Sequence, residues 1–205
     1  TGTVGINTLK IISSNKNKYK IIALTAYKNY KKLAKFALMF NCKYAVIGEK
    51  KYFYKLKEEL FGSNIECLAG YKAICEVSRF NVDILISAIV GIAGLKPTFA
   101  SIGNSKILAI ANKESVICAG NLLLKKARLH KTKIIPLDSE HNAIYQILYN
   151  EDKSSIKNVI LTASGGPFLR MNKKNFKNIT VADALKHPNW KMGKKITIDS
   201  ATLVN

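Results

Sequence analysis

Ile107-Leu-Ala-Ile-Ala-Asn-Lys-Glu-Ser115 is an unbroken apolar run that turns, at Asn112, into the start of a helical pattern reaching Leu129. Lys133-Ile-Ile-Pro-Leu137 then returns to a short apolar run. A strand, a helix and a second strand in so short a span form a βαβ unit, because parallel strands need a crossover on a sheet face. Apolar runs without polar alternation fit strands covered on both faces.

The same alternation extends towards the amino end. Strands are expected at Lys20–Leu24, Tyr44–Ile47, Ile65–Leu68, Ile84–Ser87, Ile107–Ala111 and Lys133–Leu137, with helices at Ile6–Ser14, Tyr30–Phe40, Tyr52–Phe61, Tyr71–Val77, Pro97–Ile102 and Ser115–Leu129. This predicts an α/β fold with a parallel sheet. After Asp138 the alternation loosens, with strands expected only at Val159–Thr162 and Lys195–Ile198. Two domains follow: 1–137, and 138–205 as the start of a second α/β domain. The chain opens inside a glycine turn with no strand before it and stops where a helix begins, so both ends read as cut and the first strand as missing.

At 205 residues the chain can bury a full core. The formal charge of +20 invites a nucleic-acid role, but of 33 basic residues only Arg79, Arg128 and Arg170 are arginine. Base-edge readout leans on arginine, and the lysines are scattered rather than striped. Such a charge attracts anionic small molecules through the summed field. Cys42, Cys67, Cys75 and Cys118 show no metal-type spacing and read as thiols in a reducing cytoplasm. No apolar stretch is long enough to span a bilayer. No nucleic-acid and no membrane partner is expected.

Gly2-x-x-Gly5 leading into a helix suits the tail of a dinucleotide-binding turn, though an ordinary loop-to-helix turn fits as well. An NAD enzyme places an acid about twenty residues on, against the ribose. Here the strand ends Thr25-Ala-Tyr-Lys-Asn29, with a lysine that suits the 2′-phosphate of NADP; a solvated lysine is the alternative. Asn112 and Glu114 read as cap and dipole partner of the next helix, or as part of a cleft into which Lys113 points. Asp138 and Glu140, two residues apart on an extended segment, are expected on one face at a strand end. Hard oxygens there suit Mg²⁺ or Mn²⁺; a helix cap is the competing reading. Ser164-Gly-Gly-Pro167 forms an anion nest or a plain turn. His187-Pro-Asn-Trp-Lys-Met-Gly193 is a loop whose Trp190 and Met192 either pack in the core or cover a site.

In this order, Thr1–Gly5, Ala88–Leu95, Ala111–Ser115, Asp138–Ile144, Ser164–Phe168, His187–Gly193 and Asp199–Thr202 resemble the 1-deoxy-D-xylulose-5-phosphate reductoisomerase family along essentially the whole chain. The resemblance implies a Rossmann-type NADPH-binding domain over 1–137 and an incomplete catalytic domain over 138–205. It implies cofactor contacts from Thr1, Gly2, Thr3, Val4, Tyr27, Lys28, Asn29, Asn112, Glu114 and Gly193. Asp138 and Glu140 would bind Mn²⁺ or Mg²⁺, and Lys113, Ser139, Glu140, Ser164, His187, Ser200 and Asn205 the substrate. Lys113, Glu140 and His187 are the implied catalytic residues, and Trp190 and Met192 the implied lid.

The implied reaction rearranges 1-deoxy-D-xylulose 5-phosphate by retro-aldol and aldol steps, then reduces it with NADPH to 2-C-methyl-D-erythritol 4-phosphate, for isoprenoid precursors. A cytoplasmic homodimer is implied at full length. Tyr27 stands where a small residue is common in the family. The pattern continues beyond Asn205 to a further metal-binding Glu, so this portion is expected to be inactive alone. Another Rossmann-type NADP-dependent dehydrogenase is the competing enzyme reading, and a lysine-rich nucleic-acid-binding domain the competing class.

Overall fold

The computed structural model describes residues 1–203, with Lys16 described by its backbone only. Two compact units are present, Thr1–Asp138 and a second from Ser139 onward.

The first unit begins with helix α1 (Thr3–Ser13), entered from Gly2 without a side-chain cap. Strand β1 (Ala23–Ala26) pairs parallel to β2 (Tyr44–Ile47), and β2 to β3 (Glu66–Ala69). Helices α2 (Tyr30–Phe40), α3 (Phe53–Glu59) and α4 (Tyr71–Val77) intervene or follow. Next come β4 (Val82–Ser87), α5 (Leu95–Ser101), β5 (Ser105–Ile110), α6 (Lys113–Leu129) and β6 (Lys133–Pro136), with β5 parallel to both its neighbours.

Packing explains the apolar runs. On β2, Ala45 and Ile47 face Leu33, Ala34 and Ala37 of α2 and Leu56 of α3, while Val46 faces Ala73, Ile74 and Val77 of α4. That strand is therefore covered on both sides. Burying a side chain such as Leu33 or Leu56 contributes roughly 1.5–3 kcal/mol, enough to fix which face each helix presents. Leu108 and Ile110 of β5 pack against Leu123 and Ala127 of α6 in a separate cluster. Asn29 starts α2, its Oδ1 accepting the Lys32 N–H at 3.0 Å, and Asn41 ends it in the left-handed region. Helix α6 is kinked at Ala119, whose φ of −143° is not helical.

The six strands form two three-stranded sheets, β1-β2-β3 and β4-β5-β6, where a single sheet was expected. No strand among the described residues joins β1 to β4. β1 begins later than Lys20–Leu24 because the ladder begins with its partner: the Tyr44 N–H bonds the Ile22 carbonyl.

The second unit contains α7 (Ser139–Leu148), α8 (Val181–Ala184) and α9 (Lys194–Thr202), joined by loops and short 3₁₀ turns. Two strand expectations fail here. Val159–Thr162 is not a strand: it has no ladder partner among the described residues, and Ile160 is 80% exposed. A strand exists only through its neighbour, however favourable its composition. Lys195–Ile198 lies inside α9, whose Thr197, Ser200 and Ala201 are buried and whose Lys195 pairs with Asp199 one turn on at 2.7 Å. Helical spacing of the buried residues overrides the apparent alternation.

Candidate functional site

The first constellation lies at the α1 amino end and the carboxyl end of β1. A Cβ added at Gly2 or Gly5 would meet nothing within 4 Å, so neither glycine is demanded by internal packing. Thr3 and Val4 form the first helical turn, and no side chain caps its N–H groups. Open space beside unpaired helix donors suits a pyrophosphate. Thr1 immediately precedes this turn. Past β1, the exposed Tyr27 ring stands beside Gly48, and the Lys28 ammonium lies 5.3 Å from that ring. The Asn29 side chain is engaged in capping α2.

The second constellation surrounds the start of α6. Asn112 is 2% exposed. Its Oδ1 accepts from the Ser115 N–H at 2.9 Å and from the Ser115 hydroxyl. Its Nδ2 donates to the Ile89 carbonyl at 2.6 Å, the Gly91 carbonyl at 2.9 Å and Glu114 Oε2 at 3.1 Å. Asn112 thus ties the loop after β4 to α6. Gly94 is required there, since a Cβ would lie 2.7 Å from the Ile89 carbonyl oxygen. Lys113 turns from the same helix end to Asp138, Nζ to Oδ2 at 3.0 Å.

Asp138 follows β6, but Ser139 begins α7 and Glu140 occupies its first turn. The expected extended segment with both carboxylates on one face is therefore absent. Asp138 precedes the helix and Glu140 lies within it, so the alternation of a strand no longer places them on one face and the geometric argument for their convergence falls. A carboxylate in a first turn is favoured by the helix dipole, which accounts for part of this sequence pattern. Among the described residues no three His, Cys, Asp or Glu side chains cluster as a metal site would require. By donor type alone, carboxylate oxygens such as those of Asp138 and of Glu140 suit a hard divalent cation.

The third constellation lies wholly in the second unit. Ser164 Oγ is 2.7 Å from Ser200 Oγ and 3.1 Å from His187 Nε2. His187 Nδ1 accepts two backbone N–H groups, of Asn189 and Trp190, each at 3.1 Å. A nitrogen accepting two donors holds no proton, so Nε2 carries it and donates to Ser164. Gly165 and Gly166 both have positive φ, and a Cβ on Gly166 would lie 2.6 Å from the Ser200 carbonyl oxygen. Trp190, 58% exposed, stacks on the His187 ring with centroids 5.1 Å apart. Gly193 is the residue before α9, and Met192 is partly buried. Three hydroxyl or imidazole groups around one point, beside a glycine nest, suit a phosphate. Asn205 lies outside the described residues.

Of the residues the family resemblance groups around the substrate, Lys113, Ser139, Glu140, Ser164, His187, Ser200 and Asn205, the fold brings His187 and Ser200 within hydrogen-bonding distance of Ser164. Sequence reasoning overlooked Glu49 and Lys51. Glu49 follows β2, not β1, yet its carboxylate lies 3.6 Å from Lys28 and 2.7 Å from Lys51. Only strand adjacency, Ala26 beside Ile47, could have revealed that contact. Tyr71, whose hydroxyl donates to the Ala93 carbonyl at 2.9 Å, is a second clamp on the loop after β4.

The family model for 1-deoxy-D-xylulose 5-phosphate reductoisomerase matches residues 1–120, and that for the C-terminal domain of the same enzyme matches 134–205. The reductoisomerase of Wolbachia pipientis subsp. Culex pipiens is 48% identical over all of this chain and 52% of its own length; that of Zymomonas mobilis is 44% identical. The solved Zymomonas mobilis reductoisomerase in complex with NADPH superposes with a TM-score of 0.91, covering the whole chain and 53% of that protein. A DOX-P reductoisomerase in complex with NADPH, fosmidomycin and magnesium gives the same score at 39% identity. The chain spans about half the length of the curated relatives it matches. With family models matched over 1–120 and 134–205, relatives of 44–48% identity along the whole chain and a parallel α/β fold that superposes at a TM-score of 0.91, the chain belongs to the 1-deoxy-D-xylulose 5-phosphate reductoisomerase family.

Proposed function

We propose that the full-length protein converts 1-deoxy-D-xylulose 5-phosphate to 2-C-methyl-D-erythritol 4-phosphate with NADPH and Mg²⁺ or Mn²⁺, and that this chain carries its cofactor-binding domain and the beginning of its catalytic domain. The observation that carries the reading is the convergence of Ser164, Ser200 and His187. Solved relatives in complex with NADPH, with magnesium and with the phosphonate fosmidomycin support it. The family resemblance adds a cytoplasmic homodimer. No described helix is long and apolar enough to cross a membrane.

When bound, NADPH would supply the hydride and the divalent cation would stabilise negative charge during the rearrangement. Asp138 and Glu140 would hold that cation. Gly2, Thr3 and Val4 would receive the cofactor pyrophosphate at the α1 amino end. Lys28 would face the 2′-phosphate, beside Tyr27 and Asn29, with Asn112, Glu114 and Gly193 also on the cofactor side. The Ser164 and Ser200 hydroxyls and the His187 Nε2–H would donate to the substrate phosphate. Lys113, already oriented by Asp138, would bring a positive charge to a substrate oxygen. Trp190 and Met192 would exclude water on closure.

The test follows NADPH absorbance in the full-length enzyme after addition of 1-deoxy-D-xylulose 5-phosphate. Oxidation should stop with chelator and resume with Mn²⁺. Ser164→Ala and His187→Ala should each raise KM for substrate about tenfold, the scale of a hydrogen bond to a charged group. Undiminished turnover in chelator would favour an ordinary NADP-dependent dehydrogenase.

A further inference from the structure

Lys28, Glu49 and Lys51 form a chain of charges across the carboxyl ends of β1 and β2, where open parallel sheets bind ligands. The two links are unequal. Lys51 Nζ is 2.7 Å from Glu49 Oε1, a full charge-assisted hydrogen bond. Lys28 Nζ is 3.6 Å from Glu49 Oε2, beyond hydrogen-bonding distance. That Oε2 atom is buried and has no hydrogen-bond partner. The hydrogen bond from Lys51 holds the Glu49 carboxyl below its ordinary range. A carboxylate in this position is a hazard to the assigned chemistry. Moved slightly, it would neutralise Lys28 and repel a 2′-phosphate, or accept from a ribose hydroxyl as an NAD enzyme's acid does.

We propose that Lys51 is a positioning residue that sets cofactor preference: by binding Glu49 it holds the carboxylate off Lys28 and so leaves that ammonium for the 2′-phosphate of NADPH. The inference rests on the NADPH reading above. The residues fit that group. Lys28 is more than half exposed, so its loose pairing with Glu49 is weak and a dianionic phosphate can displace it. The Tyr27 ring stands beside Gly48, where a Cβ would come 2.9 Å from it, and so walls one side of the same edge. Nothing in the arrangement requires Lys51 to touch the phosphate. Its effect passes through Glu49.

The test is calorimetric titration of the full-length enzyme with 2′,5′-ADP and with ADP, which lacks the 2′-phosphate. Lys51→Met should weaken 2′,5′-ADP binding about tenfold, the scale of one charged contact, and leave ADP unchanged. Glu49→Gln should tighten 2′,5′-ADP. The double variant Lys51→Met/Glu49→Gln should recover most of the loss, because no carboxylate remains to restrain. An unaffected Lys51→Met variant, or a double variant as weak as Lys51→Met, would overturn the proposal; the second result would mean that Lys51 meets the phosphate itself. Lys28→Ala separates the two levels. If it too binds 2′,5′-ADP normally, the assignment of this edge to the 2′-phosphate fails, rather than the role of Lys51 within it.

Discussion

Lys113 Nζ lies 3.0 Å from Asp138 Oδ2, and the two side chains are only 11% and 13% exposed. The pair joins the start of α6 to the end of β6, so it fixes both residues before any ligand arrives. Removing one member of a buried pair deprives the other charge of an attractive partner, a loss of about 3–5 kcal/mol as a general magnitude when burial is complete. With some solvent contact here, Lys113→Met should cost roughly 2–3 kcal/mol in urea unfolding. The double variant Lys113→Met/Asp138→Leu should lose less than the sum of its parts. Single variants within about 0.5 kcal/mol of the parent would show that the pair is a surface-like contact.

Gly166 and Gly2 should respond oppositely to alanine. At Gly166, φ is +63° and the new methyl would strike the Ser200 carbonyl oxygen. Gly166→Ala should destabilise the protein by roughly 2–3 kcal/mol and raise KM for the phosphorylated substrate proposed for this cluster, because Ser200 belongs to the cluster with Ser164. Gly2→Ala has room for the methyl and an ordinary φ of −81°. Its stability should stay within about 0.5 kcal/mol. NADPH binding to the full-length enzyme should nevertheless weaken about tenfold, since the methyl would occupy the space through which a pyrophosphate approaches the helix. Equal NADPH affinity in Gly2→Ala would remove α1 from the cofactor site.

Cys42 gives a dependence on alkaline pH. Burial pushes its thiol from the ordinary 9.0 up to about 11. The unfolded chain loses this proton first, so Cys42 leaves stability untouched below pH 9 and lowers it between about 9 and 11. Two pK units correspond to at most roughly 2.7 kcal/mol. Urea unfolding at stepped pH should show this loss in the parent and a shallower slope in Cys42→Ala. Parallel slopes would mean that the alkaline loss comes from other groups.

The order of α and β elements in the first unit was readable because its central strands, β2 and β5, are largely buried and its helices carry one apolar side. Tyr44–Ile47 and Tyr30–Phe40 were legible to the residue. The second unit was less so. Val159–Thr162 has strand composition but no partner among the described residues, and Lys195–Ile198 alternates only by accident within α9. In the site, contiguous motifs carried Ser164 and His187, whereas the Glu49–Lys28 contact depends on two strands lying side by side. The apparent pairing of Asp138 with Glu140 shows the reverse error. Their spacing suggested one face, and the helix beginning at Ser139 removed that geometry.

Each sheet of the first unit is built from strands consecutive in the chain, within Ala23–Ala69 and Val82–Pro136. The partner of every strand is therefore the next one synthesised or the one just made. Closing such short connections costs little chain entropy, which favours rapid assembly despite the parallel pairing. As the polypeptide leaves the ribosome at about 5–20 residues per second, β1-β2-β3 can close before β4 has emerged. The edges between consecutive strands then stay unpaired only as long as one helix takes to be made, which limits the time in which a nascent strand can find the wrong neighbour.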